Sequence, residues 1–296
     1  MAHAAGIVLY NPDIKRLEEN ISAIAPQVSE LILIDNGSKN IDEIAELTAK
    51  YDNITYVRND DNYGIAKALN QIIDKADELG EEWVLTLDQD TVCEPDIIET
   101  YDRFAKRAKD NIGIITSKYK DRSVEVDFGM TQEYEKVSFC ITSGAFNNVK
   151  CIKAVGGFDE KLFIDMVDYD ICYALTRNGC KIIRLNYTGF LHEVGRSTSK
   201  KFFGKNIIIF NHSPLRKYYW VRNSIYLKRK YKLGIKSDVR VVKRMIQTLL
   251  YEDDKFHKLK SMFKGVADGY RLERRDIVNG CHRNGLHRKL QSRKMA

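Results

Sequence analysis

Short apolar runs alternate with stretches of helical periodicity along the first third of the chain. The apolar runs predict buried strands, at 6–10, 31–34, 54–57 and 84–87. Apolar residues spaced three and four apart predict helices between them, at about 14–24, 41–47 and 65–76. Strands that alternate with helices form a parallel sheet with helices on both faces. The pattern therefore predicts an α/β fold whose central sheet is mostly parallel.

The pattern changes in the second half of the chain. A helix near 96–108 and a strand at 112–115 precede two segments, 123–128 and 135–141, in which polar and apolar residues alternate. Such alternation is typical of antiparallel strands. A helix around Ile171 and Leu175 ends at Asn178-Gly179. Three helices complete the prediction, at 217–230, 239–250 and 256–271.

Charge divides the 296 residues into two parts. The net charge is +7, but the segment from Ser213 onward holds 23 Lys and Arg against 7 Asp and Glu, which gives it +16 and leaves −9 on the rest. We therefore predict a domain of residues 1–212 and a basic helical segment of 213–296. Such a segment could meet anionic lipid, a phosphorylated substrate or nucleic acid, and no nucleic-acid-binding motif is present. Interleaved tyrosines favour a membrane surface, and homo-oligomerisation through these helices is an open alternative.

The six cysteines show neither C-x-x-C nor zinc-site spacing, which indicates reduced packing residues. The sequence has no membrane-spanning apolar run and no cleavable-signal pattern at its N-terminus. We therefore expect a cytoplasmic protein, peripheral at most on the inner face of the plasma membrane.

Three consecutive predicted strands end in polar residues: 35–38, 59–64 and 88–90. In open α/β sheets, ligands bind at this edge. Asp88 and Asp90 are two residues apart, so in extended chain their carboxylates point to one side. Converging carboxylates need a cation, a shared proton or open solvent, and a divalent cation there could bridge to a phosphate. Because no P-loop and no G-x-G-x-x-G follow the strands, we expect a nucleotide held through a metal.

An alternative interpretation of Asp88-Gln89-Asp90-Thr91 is open. A D-x-D-T sequence after an apolar strand resembles the first motif of haloacid-dehalogenase-type phosphatases, in which the first Asp is the nucleophile. Here three strand–helix units precede it, and no G-D-x-x-x-D-like motif follows. A non-catalytic nucleotide-sugar-binding protein is a second alternative.

Six motifs occur in a fixed order over residues 6–226: Asp35-Asn36-Gly37-Ser38, Asn62-x-Gly64, Leu87-Asp88-Gln89-Asp90, Thr142-Ser143-Gly144, Gly156-Gly157-Phe158-Asp159 and Asp168-Tyr169-Asp170. This ordered set resembles glycosyltransferase family 2. Leu162-Phe163-Ile164-Asp165 and His212-Ser213-Pro214-Leu215-Arg216 resemble its bacterial rhamnosyltransferase branch. The resemblance implies the Rossmann-like A-type glycosyltransferase fold and an inverting transfer from a nucleotide-diphospho-sugar.

The resemblance also implies roles for single residues. The nucleotide base would meet Asp35 and the backbone at Tyr10, and Asn62 and Gly64 would approach the nucleoside. The full donor-binding set is Tyr10, Asp35, Asn36, Asn62, Gly64, Asp88, Gln89 and Arg222. Arg222 lies in a segment that the family places near the diphosphate, although a cationic face packed on the body is an alternative.

Asp88, Asp90 and His192 would hold a Mg or Mn ion, with a merely hydrogen-bonded His192 as the alternative. Asp168 matches the second residue of the family's Glu-Asp-x-Asp motif, its catalytic base, and Val167 replaces the Glu. Ser143, Gly144 and Asp165 would contact the acceptor. The branch implies transfer of L-rhamnose from dTDP-L-rhamnose to a hydroxyl of a growing, lipid-linked bacterial surface polysaccharide.

Overall fold

A computed structural model describes residues 3–108, 111–122, 128–192, 198–202, 205–209 and 211–273. The strands are β1 Ala4–Leu9, β2 Glu30–Asp35, β3 Ile54–Arg58, β4 Trp83–Asp88, β5 Val92–Cys93, β6 Ile112–Asp121, β7 Tyr134–Val137, β8 Ala145–Asn148, β9 Lys181–His192, β10 Thr198–Phe202 and β11 Lys205–Ile209. The helices are α1 Ile14–Ile24, α2 Ile41–Thr48, α3 Ile65–Glu78, α4 Ile97–Arg107, α5 Val149–Ala154, α6 Val167–Arg177, α7 Pro214–Tyr231, α8 Lys236–Tyr251 and α9 Lys255–Arg271.

The central sheet has the strand order β3-β2-β1-β4-β8-β6-β9-β5, and β7 also pairs with β9. Strands β3, β2, β1 and β4 are parallel, as the alternation of strands and helices predicts. The other half is mixed, because β8 runs antiparallel to β4 and β6 while β6 and β9 are parallel. The α/β prediction is confirmed, with a sheet that is parallel in one half.

Apolar side chains fill a layer on each face of this sheet. One layer joins α3, α5, α6 and part of α7 to the sheet, and includes Leu69, Ile152 and Leu175. The opposite layer contains α1, α2 and α4. Because the parallel strands are covered on both faces, their sequences are apolar throughout rather than alternating. The sheet edge where β1, β2 and β4 end is left for polar loops.

The three C-terminal helices pack on the domain. Helix α7 begins at the predicted boundary, where Ser213 caps it by accepting a hydrogen bond from the Arg216 N–H. Its C-terminal half contributes Tyr226 and Tyr231 to the core beside α6. Gly265 lets α9 approach α7 closely, since a Cβ there would lie 2.6 Å from the Tyr218 carbonyl oxygen. Helix α7 therefore joins the last two helices to the α/β domain.

The predicted elements of the first half occur within a few residues of their expected bounds. Residues 123–127 of the strand predicted at 123–128, and the basic segment beyond residue 273, lie outside the described residues. Strands β8 and β9 and helix α5 were not predicted. Within the described chain, none of the helices has the length and apolarity needed to cross a bilayer.

Candidate active site

Two aspartates and a histidine converge at the end of β4. Asp88 is the last residue of β4, and Asp90 follows in a turn closed by the Thr91 N–H bonding the Asp88 carbonyl at 3.2 Å. The turn leads into β5, which pairs with the end of β9, so that His192 is brought beside it. One ligand atom from each of Asp88, Asp90 and His192 lies within 4.8 Å of the other two. The predicted metal-binding residues are thus adjacent.

Two hydroxyl groups in the interior of the domain hold this cluster in position. The Asp88 N–H donates to the Ser143 Oγ at 3.0 Å, and the Ser143 Oγ lies 2.7 Å from the Thr91 Oγ1. Thr91 Oγ1 in turn lies 3.3 Å from the Nδ1 of His192. A hydrogen bond to one nitrogen of a ligating histidine fixes the orientation of the ring and leaves the other nitrogen for the cation.

Ser143 and Gly144 are both buried, and their contact with the acceptor stays a prediction. Ser143 is fully buried, and its hydroxyl is used to hold Asp88 and Thr91. Gly144 has φ +70°, and a Cβ there would lie 2.1 Å from the Phe190 ring. A small residue is needed here for packing, and Ser143 supports the Asp88–Asp90–His192 cluster from inside the sheet.

The cluster is suited to a divalent cation. Burial raises the pKa of Asp88, the Asp90 charge raises it further, and His192 and Arg216 lower it. Two carboxylates held together against their repulsion gain from a cation that both can coordinate. The ligand atoms are two carboxylate oxygens and an imidazole nitrogen, and such a set accommodates a divalent cation.

Asp168 lies in the first turn of α6, directly after a turn in an unusual conformation. Asp165 and Met166 have φ values of +64° and +67°. Such left-handed residues cost about 1–3 kcal/mol each and persist where their surroundings hold them. Here Asn223 of α7 holds them, because its Nδ2 donates to the carbonyls of Ile164 at 2.8 Å and Asp165 at 2.9 Å. Helix α7 therefore fixes the loop that presents Asp168.

The carboxyl group of Asp168 has a pKa raised to about 7. Burial is the main cause; the Tyr169 N–H, which donates at 2.9 Å, lowers the pKa, and the charges of Asp165 and Asp88 raise it. The predicted base therefore lies within electrostatic range of Asp88, one of the predicted metal-binding residues. A carboxylate with a pKa near 7 can take up a proton at neutral pH, as a general base must.

The Asn62–Gly64 loop touches the loop that carries Asp168. Asn62 Oδ1 accepts a hydrogen bond from the Gly64 N–H at 2.9 Å, which shapes the turn. Gly64 has φ +88°, and a Cβ would lie 2.5 Å from the carbonyl oxygen of Phe163. The Ile65 N–H also donates to that oxygen at 2.8 Å. Only glycine fits where these two loops meet.

The remaining donor-side predictions fall on the same sheet edge. The Tyr10 N–H donates to Gln89 Oε1 at 2.9 Å, which ties the ends of β1 and β4 together, and the Tyr10 ring is half exposed. Asn36 Nδ2 donates to the Gly64 carbonyl at 3.2 Å. These contacts align three loops along one wall of the site.

Asp35 is fully buried behind this wall. Its Oδ1 accepts from the Ser38 N–H at 3.0 Å, and its Oδ2 accepts from the Tyr56 hydroxyl at 2.8 Å. The carboxylate thus builds the loop that follows β2. Its contact with a nucleotide base stays a prediction.

Two arginines of α7 differ in what they face. Arg222 donates to the Lys161 carbonyl at 2.5 Å and lies 4.7 Å from the centroid of the Tyr219 ring. Arg216 donates from Nε and Nη2 to Asp165 Oδ1, at 3.3 Å each, and its charge lowers the pKa of Asp88. The structure therefore brings Arg216 to the carboxylates of Asp165 and Asp88. Arg222 instead stabilises the loop that contains Lys161.

The strand order and the carboxylate pair at the sheet edge fit the A-type glycosyltransferase fold that the sequence predicts. The model of the family described as "Glycosyl transferase family 2" matches residues 5–154. The dTDP-rhamnosyl transferase RfbF of Shigella flexneri is 30% identical over 289 residues, which cover 90% of this chain and 95% of that protein. The chain belongs to glycosyl transferase family 2 and is a glycosyltransferase.

Solved structures share the fold at low sequence identity. Residues 1–349 of TarS from S. aureus in complex with UDP-GlcNAc align with a TM-score of 0.56 and 15% identity, over 92% of this chain and 74% of that one. GalNAc-T7 with UDP, GalNAc and Mn²⁺ aligns with a TM-score of 0.58 and 15% identity, over 90% of this chain and 54% of that one. These similarities confirm the predicted fold class.

Proposed function

We propose that this enzyme transfers L-rhamnose from dTDP-L-rhamnose, with inversion, to a hydroxyl group of a bacterial surface glycan that grows on a lipid carrier. The donor is supported by the dTDP-rhamnosyl transferase of Shigella flexneri, which is similar over nearly the whole length of both proteins. The observation that supports the mechanism is the convergence of Asp88, Asp90 and His192, together with the action of the Asp88 charge on the buried carboxyl group of Asp168.

Asp168 acts as the general base. Its carboxylate accepts the proton of the acceptor hydroxyl as the oxygen attacks the anomeric carbon of the donor sugar, and the bond to the nucleotide diphosphate breaks on the opposite side. A single displacement inverts the anomeric configuration without a covalent sugar–enzyme intermediate. The raised pKa of Asp168 brings its proton affinity closer to that of the hydroxyl than an ordinary aspartate would.

The nucleotide diphosphate leaves on the side of Asp88, Asp90 and His192. A divalent cation held by these three residues, Mg²⁺ or Mn²⁺, would offset the negative charge that develops on the leaving group. Arg216 adds a positive charge at the same place, where its effect on Asp88 is already evident. Tyr10, Asn62, Gly64 and Gln89 line the wall against which the nucleoside would lie.

Asp165 is a further candidate for binding the acceptor. Its Oδ2 is buried and accepts no hydrogen bond from the described residues, while Oδ1 bonds Arg216. An acceptor hydroxyl would reach Oδ2 and donate to it only after the side chains that cover this atom move. This contact would orient the attacking oxygen toward its base.

Nucleotide release assays test the function. The enzyme is incubated with dTDP-L-rhamnose, UDP-sugars or p-nitrophenyl phosphate, with and without Mn²⁺, in the presence of lipid-linked glycan. We expect Mn²⁺-dependent release of dTDP from dTDP-L-rhamnose that Asp168→Asn removes. Release of phosphate from p-nitrophenyl phosphate would support the phosphatase alternative, and donor binding without release would support a binding protein.

We further propose that the enzyme works in the cytoplasm at the inner face of the plasma membrane. The free cysteines Cys93, Cys140, Cys151, Cys172 and Cys180 suit a reducing compartment. A lipid-linked acceptor would hold its reacting glycan near the bilayer, so the enzyme must work close to that surface.

A further inference from the structure

Helix α8 exposes a stripe of aliphatic side chains to solvent. Val239, Val242, Ile246, Leu249 and Leu250 are each at least half exposed. At 100° per residue they fall within an arc of about 100°, on the side away from the buried Val241 and Thr248. A soluble helix normally turns such a stripe toward the core, yet here the core side of α8 is already occupied.

Helix α9 has a similar exposed stripe. Phe256, Phe263 and Tyr270 recur every seven residues, or about two turns, and are between 53% and 74% exposed. They lie opposite the side that packs on α7, where Met262 and Gly265 are buried. Large apolar side chains gathered on two adjacent helices indicate an interaction surface rather than scattered surface residues.

The exposed charges within α8 and α9 have one sign, and among residues 236–273 exposed acidic residues occur only beside the helices, at Asp253, Asp254 and Glu273. Seven exposed residues of α8 and α9 are Lys or Arg, and among the exposed residues of these two helices none is Asp or Glu. The cations are Lys236, Arg240, Lys243, Lys255, Lys260, Lys264 and Arg271. The acidic residues of the two helices, Asp238 and Asp268, are only partly exposed and are paired with Lys228 and Tyr218. The partner of this surface therefore carries negative charge.

We propose that the exposed sides of α8 and α9, which we call the α8–α9 face, dock on an anionic phospholipid bilayer. The apolar side chains would enter the boundary between headgroups and acyl chains, and the lysines and arginines would meet headgroup phosphates. A second copy of this chain fits the face less well, because its seven cations would oppose seven like charges. This inference rests on the proposed function, because a lipid-linked acceptor requires the enzyme to work at a membrane.

The α8–α9 face is linked to the active site through Arg244. The guanidinium of Arg244 lies 5.2 Å from the centroid of the Trp220 ring of α7. Its charge also acts on the carboxyl group of Asp165, next to the predicted base. One side of helix α8 therefore exposes apolar side chains to solvent. The opposite side faces α7 and Asp165, where the acceptor is proposed to bind. Docking would bring the acceptor glycan of a membrane lipid to Asp168.

Vesicle flotation of the full chain tests this proposal. Vesicles of phosphatidylcholine alone and of phosphatidylcholine with an equal amount of phosphatidylglycerol are compared at 150 mM salt. We expect the protein to float with the anionic vesicles only. Two triple variants, Val242→Ser/Ile246→Ser/Phe263→Ser and Lys243→Glu/Lys260→Glu/Lys264→Glu, should each lower the bound fraction at least tenfold while keeping the wild-type melting temperature.

Matched controls change the same residue types elsewhere. Leu79→Ser removes an apolar side chain that is 53% exposed at the end of α3, and Lys150→Glu reverses an exposed charge on α5. Both should float like the wild type. Equal binding of the triple variants and the wild type would overturn the proposal, as would a wild type that ignores anionic vesicles. A wild-type dimer that the serine variant converts to a monomer would overturn it too, by assigning the face to a second copy.

The outcome can be separated from that of the proposed function. Release of dTDP from dTDP-L-rhamnose with detergent-solubilised lipid-linked glycan needs no bilayer, so the triple variants should retain it. Anionic vesicle binding without any nucleotide release would refute the rhamnosyl transfer and leave the α8–α9 face supported.

Discussion

Lys230 of α7 donates a 2.7 Å hydrogen bond to Asp170, two residues beyond the proposed base. The same ammonium group donates to Asp159 at 2.7 Å, and the Tyr231 hydroxyl donates to Asp170 at 2.9 Å. Lys230, Asp159 and Asp170 are each no more than 5% exposed at their side chains. The start of α6, with Asp168, is thereby fastened to α7 by buried charges.

Lys230→Met should destabilise the protein strongly. It would leave two buried carboxylates without a counter-ion, and breaking a buried pair in this way costs about 3–5 kcal/mol. Urea unfolding at pH 7 measures the loss. Lys228→Met is the matched control, because the Lys228–Asp238 pair is partly exposed and should contribute far less to stability than the buried Lys230. Equal midpoints for Lys230→Met and the wild type would contradict the structural role.

Ser143→Ala should weaken cation binding although Ser143 is not a ligand. The change removes the acceptor of the Asp88 N–H and the partner of Thr91, so the cluster loses its alignment. Loss of such supporting contacts typically lowers metal affinity about 10–100-fold. Mn²⁺ titration followed by electron paramagnetic resonance measures it. Ser117→Ala, which removes the buried acceptor of the Tyr101 hydroxyl, is the control and should leave Mn²⁺ affinity unchanged.

Asp168→Asn should abolish transfer and stabilise the fold at alkaline pH. Loss of a general base lowers the rate about 10²–10⁴-fold. In the folded protein the pKa is raised from 3.8 to about 7, so the folded state binds more protons than the unfolded state between these values, and wild-type stability falls as the pH rises through them. The amide carries no such penalty. Calorimetry should show a melting temperature about 2–4 °C or more above wild type at pH 8.

The same comparison at pH 4 provides the control for Asp168→Asn. Asp168 is protonated there in the folded wild type, so the two melting temperatures should converge. A variant that melts below the wild type at both pH values would contradict the burial of an ionised Asp168.

The transfer rate should rise with pH and level off above about 7. Asp168 must be ionised to accept a proton, and its pKa is raised to about 7. Asp165→Asn should move the inflection of the pH–rate profile to lower pH, because the Asp165 charge contributes to raising the pKa of Asp168. Steady-state rates between pH 5 and 9 measure both profiles. An inflection that stays in place in Asp165→Asn would argue against Asp168 as the titrating base.

The sequence predicts the parallel half of the sheet well because strands covered on both faces must be apolar throughout. The grouping of His192 with Asp88 and Asp90 is implied by the resemblance to glycosyltransferase family 2, and pairing of β5 with the end of β9 brings the three together. Burial of single polar groups is a different matter. Ser143 looks like a ligand-facing residue of a small-residue turn, and only the packing of β8 between β4 and β6 shows that it is buried.

The roles along α7 also depend on tertiary contacts. Arg216 and Arg222 are six residues apart, or about 240° around a helix, so which of them faces the site is decided by the orientation of α7 against the Asp165 loop. Lys230 stands in a run of basic residues that resembles a solvated helix end. Its partners Asp159 and Asp170 lie 71 and 60 residues away, a separation that no local pattern reveals.

The placement of Arg216, Asn223 and Lys230 on one helix has a consequence for how this enzyme can diverge from its relatives. Each of the three binds a different point of the 159–170 segment. A chimera that exchanges the first 140 residues breaks none of these contacts, so donor preference can change as a unit. An exchange of residues 213–296 alone replaces the donor of each of these hydrogen bonds and leaves its acceptor unchanged. The segment that carries the base and the helix that holds it must therefore be inherited together.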